Sequence, residues 1–149
     1  MQELKEFVYT TLTGDSSIQS LLGPSYLDRV HYQYAPDNQK PPYIVHSYTA
    51  AASSPAVMLG YWDICVWDAG PNPSKVDALR DRIVALLGRT SNPSIQGFKA
   101  VRFRYDEEQM AMTAAPDPKD ARIWRYLVRF YFRASAQKDI CAILRENSD

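Results

Sequence analysis

Cysteine and histidine are scarce in this chain. The two cysteines, Cys65 and Cys141, stand in no motif, and the two histidines, His31 and His46, complete no metal-ligand spacing. These residues exclude a disulfide framework, a zinc ribbon and a CxxC redox centre. The sequence also contains no nucleophile elbow and no phosphate-binding glycine loop. We therefore predict no catalytic residue, no metal site and no cofactor.

Net charge is also absent, because 17 lysines and arginines balance 17 aspartates and glutamates. Proteins that coat nucleic acid draw their affinity from a positive excess, so the composition argues against that class. A neutral chain has little repulsion between copies, which favours self-association. No apolar run approaches the roughly 18 residues of a membrane span, and the start, MQELKEFVYT, lacks the pattern of a signal peptide. We expect no membrane association and synthesis in the cytoplasm.

The composition is that of a folded protein, with 46% hydrophobic and 12% aromatic residues. The length of 149 residues predicts a single domain spanning residues 1–149. Apolar residues at helical spacing predict four helices. These are residues 2–13, a short helix between an Asp15 cap and Gly23, residues 74–87 capped by Asn72 or Ser74, and residues 136–145 within a C-terminal extension, 136–149.

Five segments rich in β-branched and aromatic residues predict strands. They are residues 31–34, 43–49, 57–67, 98–106 and 123–134, with residues 50–55 as a link of small residues. The predicted order is therefore α-α-β-β-β-α-β-β-α. Consecutive strands, rather than strands alternating with helices, indicate an α+β fold. We expect a mostly antiparallel sheet of about five strands, with its aromatic side packed against helix 74–87.

The last two predicted strands place arginine on one side and apolar residues on the other, because side chains alternate along a strand. The arginine positions are Arg102, Arg104, Arg125, Arg129 and Arg133. If the two strands pair, all five arginines lie on one face of the sheet. Three explanations remain open at this point: a solvated face, a protein interface, and a channel wall that faces phosphate groups.

Three other polar features need a partner or an explanation. Asp63 lies in the middle of a strand, so we expect it to pair with an arginine from a neighbouring strand or subunit. Cys65 and His46 lie on strands that can be neighbours, but a buried strand cysteine is usually structural. The acidic run from Asp106 to Glu108 fits a solvated hairpin loop better than a cation site.

Segments throughout the chain carry a resemblance to a known family. They are Ile18-Gln-Ser-Leu-Leu-Gly23, Arg29-Val-His-Tyr32, Ala35-Pro36, Pro41-Pro-Tyr-Ile-Val45, Asp63-Ile-Cys-Val-Trp67, Val76-Asp-Ala-Leu79, Tyr105-Asp106 and Tyr126-Leu-Val-Arg-Phe-Tyr131. In this order they resemble the tail-completion, or tail-terminator, proteins of long-tailed bacteriophages, over residues 4–133. The loop 107–121 and the extension 136–149 are longer than the family pattern.

The resemblance implies a virion structural protein of the tail, made in the bacterial host cytoplasm. Such proteins form a six-membered ring that caps the tail tube, ends its polymerisation and offers a docking surface to the head connector. The implied partners are other copies of the chain, the tail-tube protein and the head-connector protein, with DNA passing through the ring without specific binding. Two alternatives stay open: a small cytosolic hydrolase using Cys65, His46 or Asp63, and a monomeric protein-binding module.

A ring of identical copies joined head to tail needs two different patches that match. The five arginines form the candidate positive patch. The candidate negative patch is acidic and lies around the long loop: Asp106, Glu107, Glu108, Asp117 and Asp120. We predict that these ten residues form the subunit interface, with Arg129 at the centre of the positive patch.

Overall fold

The computed structural model describes residues 1–54, 56–88, 93–106, 115–117, 119–120 and 122–136. These residues form an α+β fold in which helices pack on one face of a sheet. In chain order the elements are α1 (Gln2–Thr13), α2 (Ser16–Leu22), a 3-10 turn (Tyr26–Asp28), β1 (Val30–Tyr32), β2 (Tyr43–Ser53), β3 (Val57–Ala69), α3 (Ser74–Leu87), β4 (Phe98–Tyr105), β5 (Ala115–Pro116) and β6 (Ile123–Ala136).

The predicted Asp15 cap is present, whereas the N-cap residue of α3 is Pro73, which makes no side-chain capping hydrogen bond. The Asp15 carboxylate accepts the Ile18 backbone N–H at 3.1 Å and so caps α2. At α3, Asn72 rather than Ser74 supplies the side-chain contact, because its Oδ1 accepts the Ser74 backbone N–H at 3.1 Å. The bounds of α1 and α3 are those predicted.

The sheet is mixed, which corrects the expected strand count and pairing. Its order is β1-β2-β3-β6-β4, and the two-residue β5 pairs with the start of β6. β1 runs parallel to β2, whereas the other pairs are antiparallel. The loop between β1 and β2 brings the chain back to the start of β1. Arg29 holds this loop in place by donating to the carbonyls of Lys40 and Pro42 at 2.8 Å.

The strand ends also differ from the predictions. β1 stops at Tyr32 because Gln33 has a φ of 71°, which breaks an extended strand. The predicted link 50–55 instead continues β2 as far as Ser53, with a register shift between Ala50 and Ala52. Gly60 faces this irregularity: a Cβ there would lie 2.2 Å from the Thr49 carbonyl oxygen.

The C-terminal end differs as well. Residue 136, predicted to begin the last helix, ends β6. Residues 137–145 of that predicted helix lie outside the described residues.

The core lies between the helices and the aromatic side of the sheet. The buried side chains of α3 (Val76, Leu79, Ile83 and Leu87) and of the strands (Val101, Phe103, Tyr126, Val128 and Phe130) belong to one cluster. This arrangement confirms the predicted packing of the aromatic face on α3. Trp62 is fully buried and contacts the rings of Tyr48, Phe103 and Phe132.

Candidate functional site

The sheet has a second face, which the described helices leave uncovered because all of them pack on the first. We call it the open face. Its side chains are Tyr43, Val45, Ser47 and Thr49 of β2, Leu59, Tyr61, Asp63, Cys65 and Trp67 of β3, Arg102 and Arg104 of β4, and Arg125, Leu127, Arg129, Tyr131 and Arg133 of β6. The five predicted arginines therefore lie together on one face.

Tyrosines and leucines accompany the arginines on the open face. Leu59 is 41% exposed and Leu127 is 40% exposed. The rings of Tyr61 and Tyr131, opposite each other on β3 and β6, have centroids 5.5 Å apart. Sequence reasoning missed these residues as part of the site, although alternation along 57–67 already places 59, 61 and 63 on one side.

An ion pair occupies the centre of the open face. Asp63 and Arg129 are opposite each other in the β3–β6 register, and two guanidinium nitrogens of Arg129 donate to the carboxylate at 2.8 and 2.9 Å. Hydrogen bonding to Asp63 raises the pKa of Arg129. The guanidinium also lies 4.8 Å from the Tyr61 ring centroid. The predicted arginine partner of Asp63 is confirmed, and it comes from the same chain.

A groove of about 380 Å³ lies beside this ion pair on the open face. Its lining includes Arg102, Arg104 and Arg133, together with Leu59, Tyr61 and Tyr131. The Arg104 guanidinium lies 4.8 Å from the Tyr131 ring centroid. No carboxylate among the described residues forms an ion pair with Arg102, Arg104 or Arg133. The groove therefore presents positive charge on an aromatic and aliphatic floor.

The described acidic candidates differ in burial and pairing, and two of them are neighbours, because the Asp120 backbone N–H donates to the Asp117 carbonyl at 3.2 Å. Asp106 is 1% exposed, so its carboxylate is not presented at the surface. Asp120 already forms an ion pair with Arg122 at 2.9 Å. Asp117 accepts the Lys119 backbone N–H at 2.8 Å. Glu107 and Glu108 lie outside the described residues.

Asp117 is close enough to the open face for its charge to raise the pKa of two side chains there, Tyr43 and Cys65. Burial, and then the charge of Asp117, raise the pKa of Tyr43. Burial raises the pKa of the Cys65 thiol to about 12; the charge of Arg125 opposes this rise, and those of Asp63 and Asp117 add to it. The Cys65 thiol is therefore protonated at neutral pH and is a poor nucleophile.

The geometry also separates Cys65 from His46. The two residues lie on neighbouring strands, but Cys65 is on the open face and His46 is buried on the covered face, 1% exposed. There the Nδ1 of His46 accepts the Trp62 indole N–H at 3.2 Å. Burial, and then the charge of Lys5, lower the pKa of His46 to about 4. The described residues thus provide no nucleophile and base in contact at this position.

Metal binding and membrane insertion have no support within the described parts of the chain. Across those residues, no three His, Cys, Asp or Glu side chains gather in a way that could hold a metal ion. The described helices are also too short or too polar to span a bilayer.

The fold thus combines a covered core with an open sheet face rich in arginine and tyrosine, two residue types that are enriched in protein interfaces. Residues 6–133 match the family described as Tail completion protein gp17. The chain therefore belongs to this family of phage tail completion proteins, and it is a structural protein of the virion tail.

The solved structures include a relative in fold. A chain in a structure titled "Virion of native gene transfer agent (GTA) particle" is 18% identical and superposes with a TM-score of 0.59. The match covers 87% of this chain and 90% of that chain. No curated protein sequence matches the chain.

Proposed function

We propose that this protein caps the tail tube as a ring of identical copies, ends polymerisation of the tube and forms the surface that joins tail to head. The family resemblance implies six copies in the ring. The partners in this proposal are other copies of the chain, the tail-tube protein and the head-connector protein. DNA passes through the ring without specific binding, and no residue of the chain acts as a catalyst.

The open face is the observation that carries the proposal. It leaves Leu59 and Leu127 about two-fifths exposed on a face that also carries three tyrosines and five arginines. Tyrosine and arginine are the residues that protein interfaces favour, and exposed leucines lose unfavourable contact with water when a partner covers them. A face that only contacts water would gain nothing from exposing these aromatic and aliphatic side chains.

The subunit interface in this proposal joins the arginine patch of one copy to acidic side chains of the next. Asp117, Glu107 and Glu108 are the carboxylates from the predicted acidic set that we propose for this contact. Asp106 is buried and Asp120 is paired with Arg122, so we give both a secondary role. Arg129 is already neutralised by Asp63, so the other four arginines carry the attraction.

Tail length in a phage that lacks this gene tests the function. We expect tails of variable and excessive length that fail to join heads, because nothing ends the tube. Supplying the gene from a plasmid restores uniform tails, as counted in electron micrographs. Uniform, head-joined tails in the absence of the protein would contradict the proposal.

The mass of the purified protein tests the ring separately. Light scattering should give a mass several times the 17.0 kDa of one chain. Purified tail tubes provide a second arm, in which the protein should bind to one end of each tube. A protein that neither associates nor binds tube ends would favour the monomeric binding module.

A further inference from the structure

Two arginines of the groove oppose each other directly. In the β4–β6 register Arg102 faces Arg133, and both side chains lie on the open face. Directly opposite side chains on neighbouring antiparallel strands lie about 4.5–5.5 Å apart at Cβ, and like charges in such a pair are destabilising. No described carboxylate pairs with either residue. The pair therefore costs stability in the isolated chain.

Arg129, four residues before Arg133 on the same face of β6, has a carboxylate directly opposite it, that of Asp63. In the β3–β6 register the Tyr61–Tyr131 pair, which lines the groove, lies between Arg133 and the Asp63–Arg129 ion pair. At Arg129 the opposite strand supplies a carboxylate, whereas at Arg133 the two flanking strands supply Leu59 and Arg102. The missing element at Arg133 is an oxyanion.

We infer that Arg102 and Arg133 form a binding site for one carboxylate, which an aspartate or glutamate side chain of a second copy of this chain supplies. The inference rests on the proposed ring and names the contact that joins its subunits. Arginine forks bind carboxylates with paired hydrogen bonds, so one carboxylate can bridge two guanidinium groups. Bridging also removes the repulsion between the two arginines.

Charge complementarity points to a second copy as the source. The strands place five arginines on the open face and one acidic side chain, Asp63, because the other strand aspartate among the described residues, Asp68, is buried on the covered face. The whole chain has a net charge of zero, so the rest of the chain carries a compensating acidic excess. An identical neighbour therefore offers carboxylates to the groove.

The lining of the groove favours a protein over a nucleic acid. Ala51 and Leu59 contribute apolar surface, and Arg104 is occupied above the Tyr131 ring. Desolvated apolar contacts around arginine and tyrosine are typical of protein interfaces. Protein surfaces that bind nucleic acid are more polar than protein–protein interfaces and much more positively charged, whereas this groove has an apolar and aromatic lining.

Self-association of three full-length variants tests the inference. R102Q and R133Q each remove one guanidinium, and K99Q is the matched control, because Lys99 is an exposed cation of β4 that does not line the groove. Sedimentation equilibrium at low salt should show the association constant reduced at least tenfold in R102Q and R133Q. K99Q should stay within twofold of the unchanged protein.

Thermal unfolding of the same variants, measured at a dilution where the chains are monomers, separates this effect from misfolding. R102Q and R133Q should melt at the same or a slightly higher temperature, because each relieves the repulsion in the monomer. An association constant unchanged in R102Q and R133Q, or an equal loss in K99Q, would overturn the inference. An unchanged protein that remains monomeric at high concentration would also overturn it.

A labelled DNA duplex forms the last arm. Binding of the duplex at moderate salt that disappears in R102Q but persists in K99Q would assign the groove to phosphates and overturn the carboxylate. Tail length distinguishes this inference from the proposed function. Uniform tails with R102Q would reject the contact and retain the function, whereas uniform tails without the protein would reject the function itself.

Discussion

The two faces of the sheet come from the same strands but differ in burial and in the residues they carry. On the covered face, β6 contributes Val128 and Phe130, both buried without measurable exposure. On the open face, the residues between them and beside them are Leu127, Arg129 and Tyr131, which keep contact with solvent. The covered face contributes the core, whereas the open face carries an internal ion pair and a groove whose arginines form no ion pair with any described carboxylate.

This difference shows where stability and function lie in the molecule. Substitutions on the covered face should lower the free energy of unfolding. Substitutions on the open face should mainly alter contacts with other chains, unless they touch the Asp63–Arg129 pair. Substitutions at matched positions on the two faces test this difference.

Truncating Phe130 should have the largest effect. We expect Phe130→Ala to lower the free energy of unfolding by about 3–5 kcal/mol, because it leaves a cavity between β6 and α3. Leu127→Ala on the other face of the same strand is the control, and it should cost clearly less because Leu127 is already 40% exposed. Urea unfolding followed by tryptophan fluorescence measures both. Equal losses would show that the open face is packed as tightly as the core.

Acidification should weaken the covered face through His46. Its pKa is about 4 in the folded protein, against an ordinary value of 6.5. Between these pH values the imidazole is protonated in the unfolded chain and neutral in the folded chain. The free energy of unfolding is therefore fully retained above pH 6.5 and falls as the pH drops from 6.5 to 4, by about 3 kcal/mol in total. Urea unfolding at several pH values should show this slope. A His46→Phe variant that keeps the same slope would contradict the assignment.

Reversing the charge of Arg129 should have an intermediate effect. Arg129→Glu places two carboxylates opposite each other on half-buried strands, and we expect a loss of about 1–3 kcal/mol in the free energy of unfolding. This differs from a purely associative role, in which the monomer would be unaffected. Combining Arg129→Glu with Asp63→Arg should recover most of the loss, because the pair is restored with its charges exchanged. No recovery in the double variant would show that the ion pair is not the cause.

Removing the Cys65 thiol should have the smallest effect. Burial raises the pKa of the Cys65 thiol to about 12, and its side chain lies on the face opposite to His46. A phage carrying Cys65→Ala should therefore give the same number of infectious particles as the parent. A loss of infectivity in a variant that melts normally would assign Cys65 a chemical role.

Much of the secondary structure could be predicted because its signals are local. The helical spacing of apolar residues and the Asp15 cap gave α1, α2 and α3 with correct or nearly correct bounds. Alternation along the strand correctly predicted two chemically distinct faces, since strand periodicity depends only on neighbouring residues. Boundaries that depend on tertiary contacts, such as the continuation of β2 through residues 50–53, could not be predicted in this way.

The contacts of particular side chains were harder to predict from the sequence. The sequence indicated that Asp63 needed an arginine, but it offered five candidates on two strands. It also gave no sign that β1 pairs parallel to β2, because that direction depends on how the loop before β2 returns. Asp106 looked like a solvated loop residue and is buried.

The sequence alone therefore determined the class of fold, the two faces of the sheet, the lack of catalytic and metal motifs, and the family resemblance. Each of these depends on residue type and short-range spacing. The tertiary structure decided the strand order and register, because pairing joins residues far apart in the chain. That register places Asp63 opposite Arg129 and Arg102 opposite Arg133. It therefore pairs one arginine with a carboxylate and leaves two other arginines facing each other.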